Sequence, residues 1–427
     1  MKTQVLAAAL AAAFAAAPAL ALANDSSIQI YGIADAGFVK TAGAPLKLAS
    51  GIADGSRIGF KGTEDMGGGY KAIFNLEARV EMDTGKQSPT LVTENQGYYL
   101  TKGMSALPAA VLAGVRSALQ PKGGAAVNPE NAIFDRTSMV GLITPFGAVL
   151  LGRMYTPGYE VFNSADVFES GTAGTWGGIT GGSAGFQALG ADIRSQKSVQ
   201  WRVAVDGIGA ALMYGTKGSG YLGRYNKFTA ANLTYKKGPW DVGVGYNRGY
   251  DQNDNVSLTT TTIGGSYSID NWKLFFGFHD QKNQNSVLLK DYIAGWDSGI
   301  APLLGGATSP TQLALRNNVF VPNITRNSQI DANSVQVGFH YRIGAGRVMA
   351  SLARQNDRSV SNSDATQYAV GYDYFLSKRT DVYTVLGIIK NTNDAQYAPS
   401  TAGAPGGFTA APGETGRSIQ IGIRHKF

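Results

Sequence analysis

The sequence of 427 residues predicts an all-β protein, an antiparallel transmembrane β-barrel of 16 strands. Three observations predict this fold. The N-terminus has the form of an export signal, apolar and polar residues alternate with a period of two in one segment after another, and the links between those segments alternate between short and long. Together they describe a protein that is exported and then crosses a membrane with strands.

The first residues form a predicted signal peptide. Lys2 supplies a positive charge, residues 5–17 are an apolar stretch rich in alanine, and residues 21–23 (ALA) place small side chains where a signal peptidase cleaves. The apolar stretch is shorter than the roughly 20 residues that a membrane-spanning helix needs. We therefore predict that residues 1–23 are a signal peptide and that residues 24–427 form one barrel domain.

The composition agrees with a barrel better than with a bundle of membrane helices. The chain contains 56 Gly, 20 Tyr and no Cys, and only 16% of its residues are charged. Mean hydropathy is close to zero, as expected when only every second strand residue faces lipid. After the signal peptide no apolar run reaches the length of a membrane helix. The net charge of +7 comes from scattered Lys and Arg residues with no basic run, which argues against nucleic-acid binding.

The clearest predicted strand is the last one, residues 417–427. Ile419, Ile421 and Ile423 fall on one parity, and polar residues such as Gln420 fall on the other. The same alternation recurs at residues 199–206, 272–279, 335–342 and 368–374. A soluble β-sandwich is the alternative fold. A barrel is favoured because the polar parity is rich in Gly and Arg, as in a wet lumen, and because Tyr and Trp occur near strand ends, where membrane interfaces favour them.

The links between the predicted strands alternate in length. Short links occur at residues 64–69, 144–147, 206–209, 236–239, 269–271, 344–346 and 376–380. Longer links occur at residues 41–54, 83–133, 156–194, 281–330 and 392–414. Seven short turns give eight hairpins and therefore 16 strands, with short turns on one side of the membrane and long loops on the other. A count of 18 stays open, because residues 281–330 are long enough to contain a further hairpin.

Five segments carry a resemblance to a known family. They are residues 28–37 (IQIYGIADAG), 56–72 (SRIGFKGTEDMGGGYKA), 136–155 (RTSMVGLITPFGAVLLGRMY), 376–380 (LSKRT) and 422–427 (GIRHKF). In this order they resemble the general porins of Neisseria and other β-proteobacteria. The resemblance implies a homotrimer of 16-stranded barrels, embedded in the lipid of the outer membrane of a Gram-negative bacterium. It also implies a water-filled channel for passive diffusion of small hydrophilic solutes and ions.

In the same family the third long loop folds into the barrel and narrows the channel. The resemblance assigns this role to residues 156–194, which contain Glu160, Asp166 and Glu169. We predict that these three carboxylates form the acidic side of a constriction. The acidic motif of enteric porins is absent from this loop, and its nearest match is residues 158–162 (GYEVF), so Glu160 is the first candidate.

The basic side of the constriction is predicted from strand parity. Arg57 and Arg136 share the parity of the lumen-facing residues of their strands, and Arg194 begins the strand after the third long loop. Porins of this family carry an arginine cluster where these three lie. Secondary candidates are Arg79, Arg153 and Arg202. Arg153 needs a β-bulge, because strict alternation from Leu151 would direct it towards lipid. Clustered arginines and a positive net charge predict weak to moderate anion selectivity.

A substrate-specific channel for one small solute, such as an organic acid or a sugar, is the alternative function. Its path would be lined by aromatic side chains, and the candidates are Trp176 and Phe186 in the third long loop and Phe275 on an inward parity. These residues are few and separated, which favours general diffusion.

Two further features concern assembly. Residues 105–120 form either a short helix or an irregular surface loop within the second long link, which in the resembling family latches onto the neighbouring subunit. The terminal Phe427 follows alternating apolar residues, the pattern by which outer-membrane proteins are recognised for assembly.

The sequence predicts neither an enzyme nor a cofactor. The three histidines, His279, His340 and His425, are accompanied by no nucleophile motif such as Gly-x-Ser-x-Gly. The sequence also has no Cys, no paired His for a metal site and no glycine-rich loop opening a helix for a phosphate.

Overall fold

The computed structural model of the protein describes residues 27–87, 100–119, 132–180, 193–220, 223–359, 362–401 and 407–427. The predicted signal peptide, residues 1–23, and Phe186 lie outside the described residues. Long antiparallel strands make up most of the described chain, and helices occur in three of the long links.

The strands of the wall follow one another in chain order. The first eight are β1 (Ser27–Thr41), β2 (Arg57–Gly67), β3 (Tyr70–Arg79), β4 (Thr137–Thr144), β5 (Gly147–Tyr155), β6 (Arg194–Val205), β7 (Ile208–Gly220) and β8 (Lys227–Lys237). The other eight are β9 (Trp240–Tyr250), β10 (Val256–Ile269), β11 (Trp272–Asn283), β12 (Ile330–Ile343), β13 (Gly346–Asp357), β14 (Ala365–Phe375), β15 (Thr380–Asn391) and β16 (Gly416–Lys426). A short additional strand, Lys47–Ser50, pairs with β1 inside the first long link.

The wall is a closed barrel. Each strand is hydrogen-bonded to its neighbours in the chain, and β16 returns to pair with β1 from Ile33–Lys426 to Thr41–Ser418. The predicted antiparallel barrel of 16 strands is therefore confirmed. The open alternative of 18 strands is excluded, because the described link between β11 and β12 contains helices where a further hairpin would have to lie.

Short turns join the hairpins on one side of the barrel. Only two residues separate β6 from β7 and β10 from β11, and Asp206, Gly207 and Asp270 in these turns have φ values of 50°, 85° and 50°. Two-residue turns with positive φ match the right-handed twist of the strands that they join, and Asp and Gly tolerate this conformation best. The predicted short turns are thus set by local sequence.

Burial in the barrel is the reverse of burial in a soluble protein. Ile419 and Ile421 on β16 are 54% and 56% exposed on the outer surface, whereas Gln420 between them is 1% exposed. The apolar parity faces outwards, where lipid covers it, and the polar parity faces the interior. The predicted alternation is confirmed, and the soluble sandwich is excluded.

Helices occupy three of the long links. They are α1 (Ala109–Leu119), α2 (Pro157–Ala165), α3 (Leu289–Gly299), α4 (Pro310–Leu315) and α5 (Val321–Asn327), with 3-10 turns at Trp176–Gly178 and Ala301–Leu304 and a π turn at Arg316–Phe320. Helix α1 confirms the helical alternative for residues 105–120, and it shares a buried apolar cluster with the helices after β11. No helix in the described ranges is both long and apolar enough to cross a membrane.

Gly32 lies where the end of the chain closes the barrel. A Cβ atom on Gly32 would lie 2.3 Å from the Phe427 ring and 2.5 Å from the carbonyl oxygen of Arg57. We expect Gly32→Ala to lower the free energy of unfolding by about 1–3 kcal/mol, because the last strand must move to make room. Urea titration of the refolded barrel, read by its mobility on SDS gels, measures the change. Gly295→Ala is the control, since no atom outside the local backbone of its own helix lies within 4 Å of that Cβ position, and equal midpoints for the two variants would contradict the prediction.

Candidate functional site

The segment after β5 begins with helix α2, and its start is fixed by capping. The Thr156 side chain accepts a hydrogen bond from the Tyr159 backbone N–H, and Pro157 occupies the first turn, where its missing N–H costs nothing. Helix α2 packs against β8, β9 and β10. Its first turn is held there by Asn247, whose Oδ1 accepts a hydrogen bond from the Gly158 N–H at 3.0 Å.

Inward-parity side chains also contact the segment beyond α2. The Val167 N–H donates to Gln336 Oε1 at 3.0 Å, and the Ala173 N–H donates to Gln420 Oε1 at 2.7 Å. Gln281 donates to the Thr180 carbonyl oxygen. These glutamines belong to β12, β16 and β11, so residues 156–180 contact the inner side of strands spread over more than half of the wall.

Asp166 organises this segment and does not face the open space of the lumen. It is completely buried, and its carboxylate accepts hydrogen bonds from the Thr175 hydroxyl at 2.7 Å and from the Trp176 and Phe168 backbone N–H groups at 3.0 Å. Burial raises the pKa of Asp166 above its usual value, although these hydrogen bonds oppose the rise. The oxygens of Asp166 are thus used to fold the loop, and its role at a constriction stays a prediction.

A cavity of about 380 Å³ lies between this segment and the wall of β2–β6. Six of the nine predicted residues line it: Arg57, Arg79, Arg136, Arg194, Glu160 and Glu169. The remaining lining includes Asp54, Tyr155, Tyr159, Phe162, Asn163 and Thr175. The arginines come from the wall and the two glutamates from the facing segment, so the structure brings together the two predicted sides.

Two of the secondary candidates lie beside the cavity. Arg202 on β6 donates to both carboxylate oxygens of Glu160, at 2.6 and 2.8 Å. Arg153 is buried, and its Nε donates to the Asp135 carbonyl oxygen at 2.9 Å. Strand β5 has a register irregularity between Gly152 and Met154, as the inward placement of Arg153 requires. Arg153 is not part of the cavity lining.

The arginine wall is held together by a carboxylate that the sequence prediction missed. Glu77 on β3 accepts a hydrogen bond from Arg136 Nε at 2.6 Å and lies 3.4 Å from Arg57 Nε. Arg57 also contacts Asp54 at 2.9 Å, and Arg79 is paired with Glu81. Glu77 shares the parity of Arg79 on the same strand, which is the signal that could have identified it.

Aromatic rings connect the wall to helix α2. Arg194 Nη2 donates to the Tyr155 hydroxyl at 2.5 Å, and its guanidinium lies 4.1 Å from the centre of that ring. Tyr155 stacks on Tyr159 with ring centres 5.4 Å apart. Burial, and the neighbouring Tyr155, raise the pKa of Tyr159, so its hydroxyl is neutral at physiological pH.

Glu169 reaches a different arginine from those predicted. Arg347 on β13 donates to Glu169 through Nη1 at 2.7 Å and Nη2 at 3.2 Å, and to Asp373 at 2.8 Å. Loss of hydration favours the neutral carboxyl, but the hydrogen bonds and charge of Arg347 outweigh this and lower the pKa of Glu169 to about 2. Arg347 was missed because nothing in its own strand pattern links it to a loop residue nearly 180 positions earlier in the chain.

The aromatic side chains considered for a substrate path are mostly inaccessible. Trp176 is fully buried, stacked against Phe162 with ring centres 4.8 Å apart, and Phe275 is also buried. Neither lines the cavity. The third candidate, Phe186, lies outside the described residues.

Comparison with known proteins identifies relatives along the whole chain. The family model of Gram-negative porins matches residues 7–394. Outer membrane porin protein 32 of Delftia acidovorans is 26% identical, and the alignment covers 100% of both chains. Major outer membrane protein P.IB of Neisseria meningitidis serogroup B is 24% identical over 98% of both chains.

Solved structures show the same fold. The anion-selective porin from Comamonas acidovorans superposes with a TM-score of 0.66 at 23% identity, covering 94% of this chain and 100% of that one. OmpT of Vibrio cholerae superposes with a TM-score of 0.58 at 13% identity, covering 94% and 99%.

This chain forms a closed barrel with an apolar outer surface and a polar interior, and the solved relatives share its fold. The match to the family model covers nearly the whole length of the protein. The chain therefore belongs to the Gram-negative porin family and is a multi-pass outer-membrane protein whose barrel forms a water-filled channel.

Proposed function

We propose that the cavity between the arginine wall and residues 156–180 is the constriction of a general diffusion channel for small hydrophilic solutes and ions. The observation that supports this most directly is the distribution of charge around the cavity. Arg57, Arg79, Arg136 and Arg194 lie on the wall, and Glu160 and Glu169 lie on the facing segment. A solute that passes between them moves through a transverse electric field.

This field favours polar solutes. It orients water molecules and dipoles in the cavity, and an apolar molecule must displace that oriented water without replacing its interactions. The helix α2 packing and the glutamine contacts hold residues 156–180 against the inner wall, so the channel is narrowed at this height. The proposed function therefore rests on a narrowed path that is also polarised.

We propose that this channel is weakly to moderately selective for anions. Four guanidinium groups line the cavity, against the three carboxylates of Asp54, Glu160 and Glu169. Just behind the lining, Glu77 and Glu81 reduce the positive potential, and Arg202, which pairs with Glu160, adds to it. The structural relative from Comamonas acidovorans is described as anion-selective, which agrees in sign with the excess of one guanidinium group in the lining itself.

Replacing single wall arginines tests the constriction. We expect Arg57→Ala and Arg136→Ala each to shift the reversal potential in a salt gradient towards cations. One charge removed about 4 Å from the path changes the energy of a monovalent ion by about 1 kcal/mol in an aqueous lumen, or roughly fivefold in the permeability of that ion. Planar-bilayer recording of single channels provides the measurement.

Arg224→Ala is the matched control for these variants. It removes the same charge from an arginine that pairs with Asp291 among the long links, away from the cavity. Unchanged selectivity in both wall variants, or an equal shift in the control, would contradict the proposed constriction.

Glu77→Gln tests whether the buried carboxylate limits anion selectivity. The amide still accepts a hydrogen bond from Arg136, but it no longer neutralises Arg57 and Arg136. We therefore expect the reversal potential to move towards anions, opposite in sign to the arginine variants and by a similar roughly fivefold factor. A shift towards cations would show that Glu77 does not act through its charge.

Flux measurements separate general diffusion from a substrate-specific channel. In reconstituted liposomes we expect the flux of small sugars and organic acids to rise linearly with concentration, because the accessible lining offers few aromatic faces and Trp176 is buried. Saturation of flux, or block of the ionic current by micromolar amounts of one solute, would favour the specific channel.

We further propose that the protein assembles as a homotrimer and acts in transport alone, with no enzymatic activity. Support comes from the relatives, which are porins, and from the Vibrio cholerae neighbour, which is described in a trimer form. We also propose that residues 1–23 are removed on export, leaving residues 24–427 as the barrel domain.

A further inference from the structure

A second long link contacts the interior of the barrel beside residues 156–180. Tyr397, in the link between β15 and β16, is buried in an apolar cluster with Ala353, Ala365 and Ile389, which lie on the inward parity of β13, β14 and β15. Its hydroxyl accepts a hydrogen bond from Gln355 Nε2 at 2.6 Å. The described residues 395–401 are all buried.

Both internal segments meet at one side chain. Gln420 on β16 accepts a hydrogen bond from the Ala173 N–H at 2.7 Å through Oε1, and its Nε2 donates to the Ser400 carbonyl oxygen at 2.9 Å. Nε2 also lies 3.4 Å from the Ser418 hydroxyl. Gln420 is 1% exposed, so water does not compete for these contacts.

Each contact of Gln420 leads to the cavity lining by a short path. Ala173 lies two residues before Thr175, which lines the cavity. On the other side, Tyr397 belongs to the same buried cluster as Trp176 and Phe162, and Phe162 lines the cavity. A displacement of either segment at Gln420 is therefore transmitted to groups that border the conducting path.

We propose that Gln420 is a positioning residue of the channel, which fixes residues 156–180 and residues 395–401 relative to each other and to the wall. A primary amide offers an acceptor and a donor on one planar group, and this site uses both. A carboxylate would keep only the acceptor, and an apolar side chain of equal size would keep neither. Within the described residues, the neighbouring Gln367 donates to the Ala173 and Thr175 carbonyl oxygens, which both belong to one of the two segments.

This proposal rests on the proposed constriction, because it assigns the position of one of its walls. Its test is Gln420→Met in the full-length protein, recorded as single channels in planar bilayers. We expect the frequency of brief conductance substates to rise about thirtyfold, the factor that corresponds to the loss of both hydrogen bonds at their usual net strength. Heat stability on SDS gels should remain close to that of the wild type, since the wall ladder is untouched.

Gln329→Met is the control, because it removes one exposed amide contact, with the Gln284 carbonyl oxygen, within the link between β11 and β12. Substate frequencies that are equal in the two variants would overturn the proposal. If Gln420→Met does not insert into the bilayer, Gln420→Glu provides the test. Its carboxylate still accepts the hydrogen bond from Ala173 but cannot donate one to Ser400. A substate frequency equal to that of the wild type would overturn the proposal.

The two proposals fail separately. If Arg57→Ala leaves the ion selectivity unchanged while Gln420→Met raises the substate frequency, the proposed position of the constriction at the arginines is contradicted. If Arg57→Ala changes the ion selectivity while Gln420→Met has the substate frequency of the wild type, only the positioning role of Gln420 is contradicted.

Discussion

The structure depends first on the closed ladder of backbone hydrogen bonds. In the hydrocarbon of a membrane an unpaired N–H or carbonyl group costs several kcal/mol, so a sheet must have no open edge. The last residue of the chain completes this closure: Phe427 and Gly32 exchange both of their backbone hydrogen bonds at 3.1 Å. Once the ladder is closed, strand parity decides which side chains face lipid and which face water, except at bulges such as the one beside Arg153.

The same requirement shapes the segments inside the barrel. Their backbone is irregular and cannot pair with a ladder, so its polar groups need other partners. Glutamines on the inward parity supply them, as Gln336 does for Val167 and Gln420 does for Ala173. Asp166 does so within the segment itself, where Glu169, Ser170 and Thr172 adopt positive φ values. A long polar side chain on a rigid wall can therefore define the position of a loop.

The sequence was sufficient for the wall and for part of the site. The barrel follows from a local pattern, and the same parity that turns Ile419 outwards places Arg57 in the lumen. The burial of Asp166 could not be predicted, because whether a loop carboxylate faces water or folds the loop depends on contacts that no short pattern contains. For the same reason the pairing of Glu169 with Arg347, which comes from distant parts of the chain, was not predicted. The sequence does indicate a β-bulge at Arg153, because strict alternation along the strand would direct this side chain towards lipid.

Charge at the proposed constriction is limited by the stability of the wall itself. Guanidinium groups that are close together and partly removed from water repel one another, and burial leaves little solvent to screen them. Glu77 between Arg57 and Arg136 relieves this repulsion, as Glu81 does for Arg79. Each carboxylate that makes the cluster tolerable also reduces the potential felt by a passing anion. In the proposed constriction, selectivity therefore depends on the balance between arginines and carboxylates, and changing one charge in either set should matter more than the number of arginines suggests.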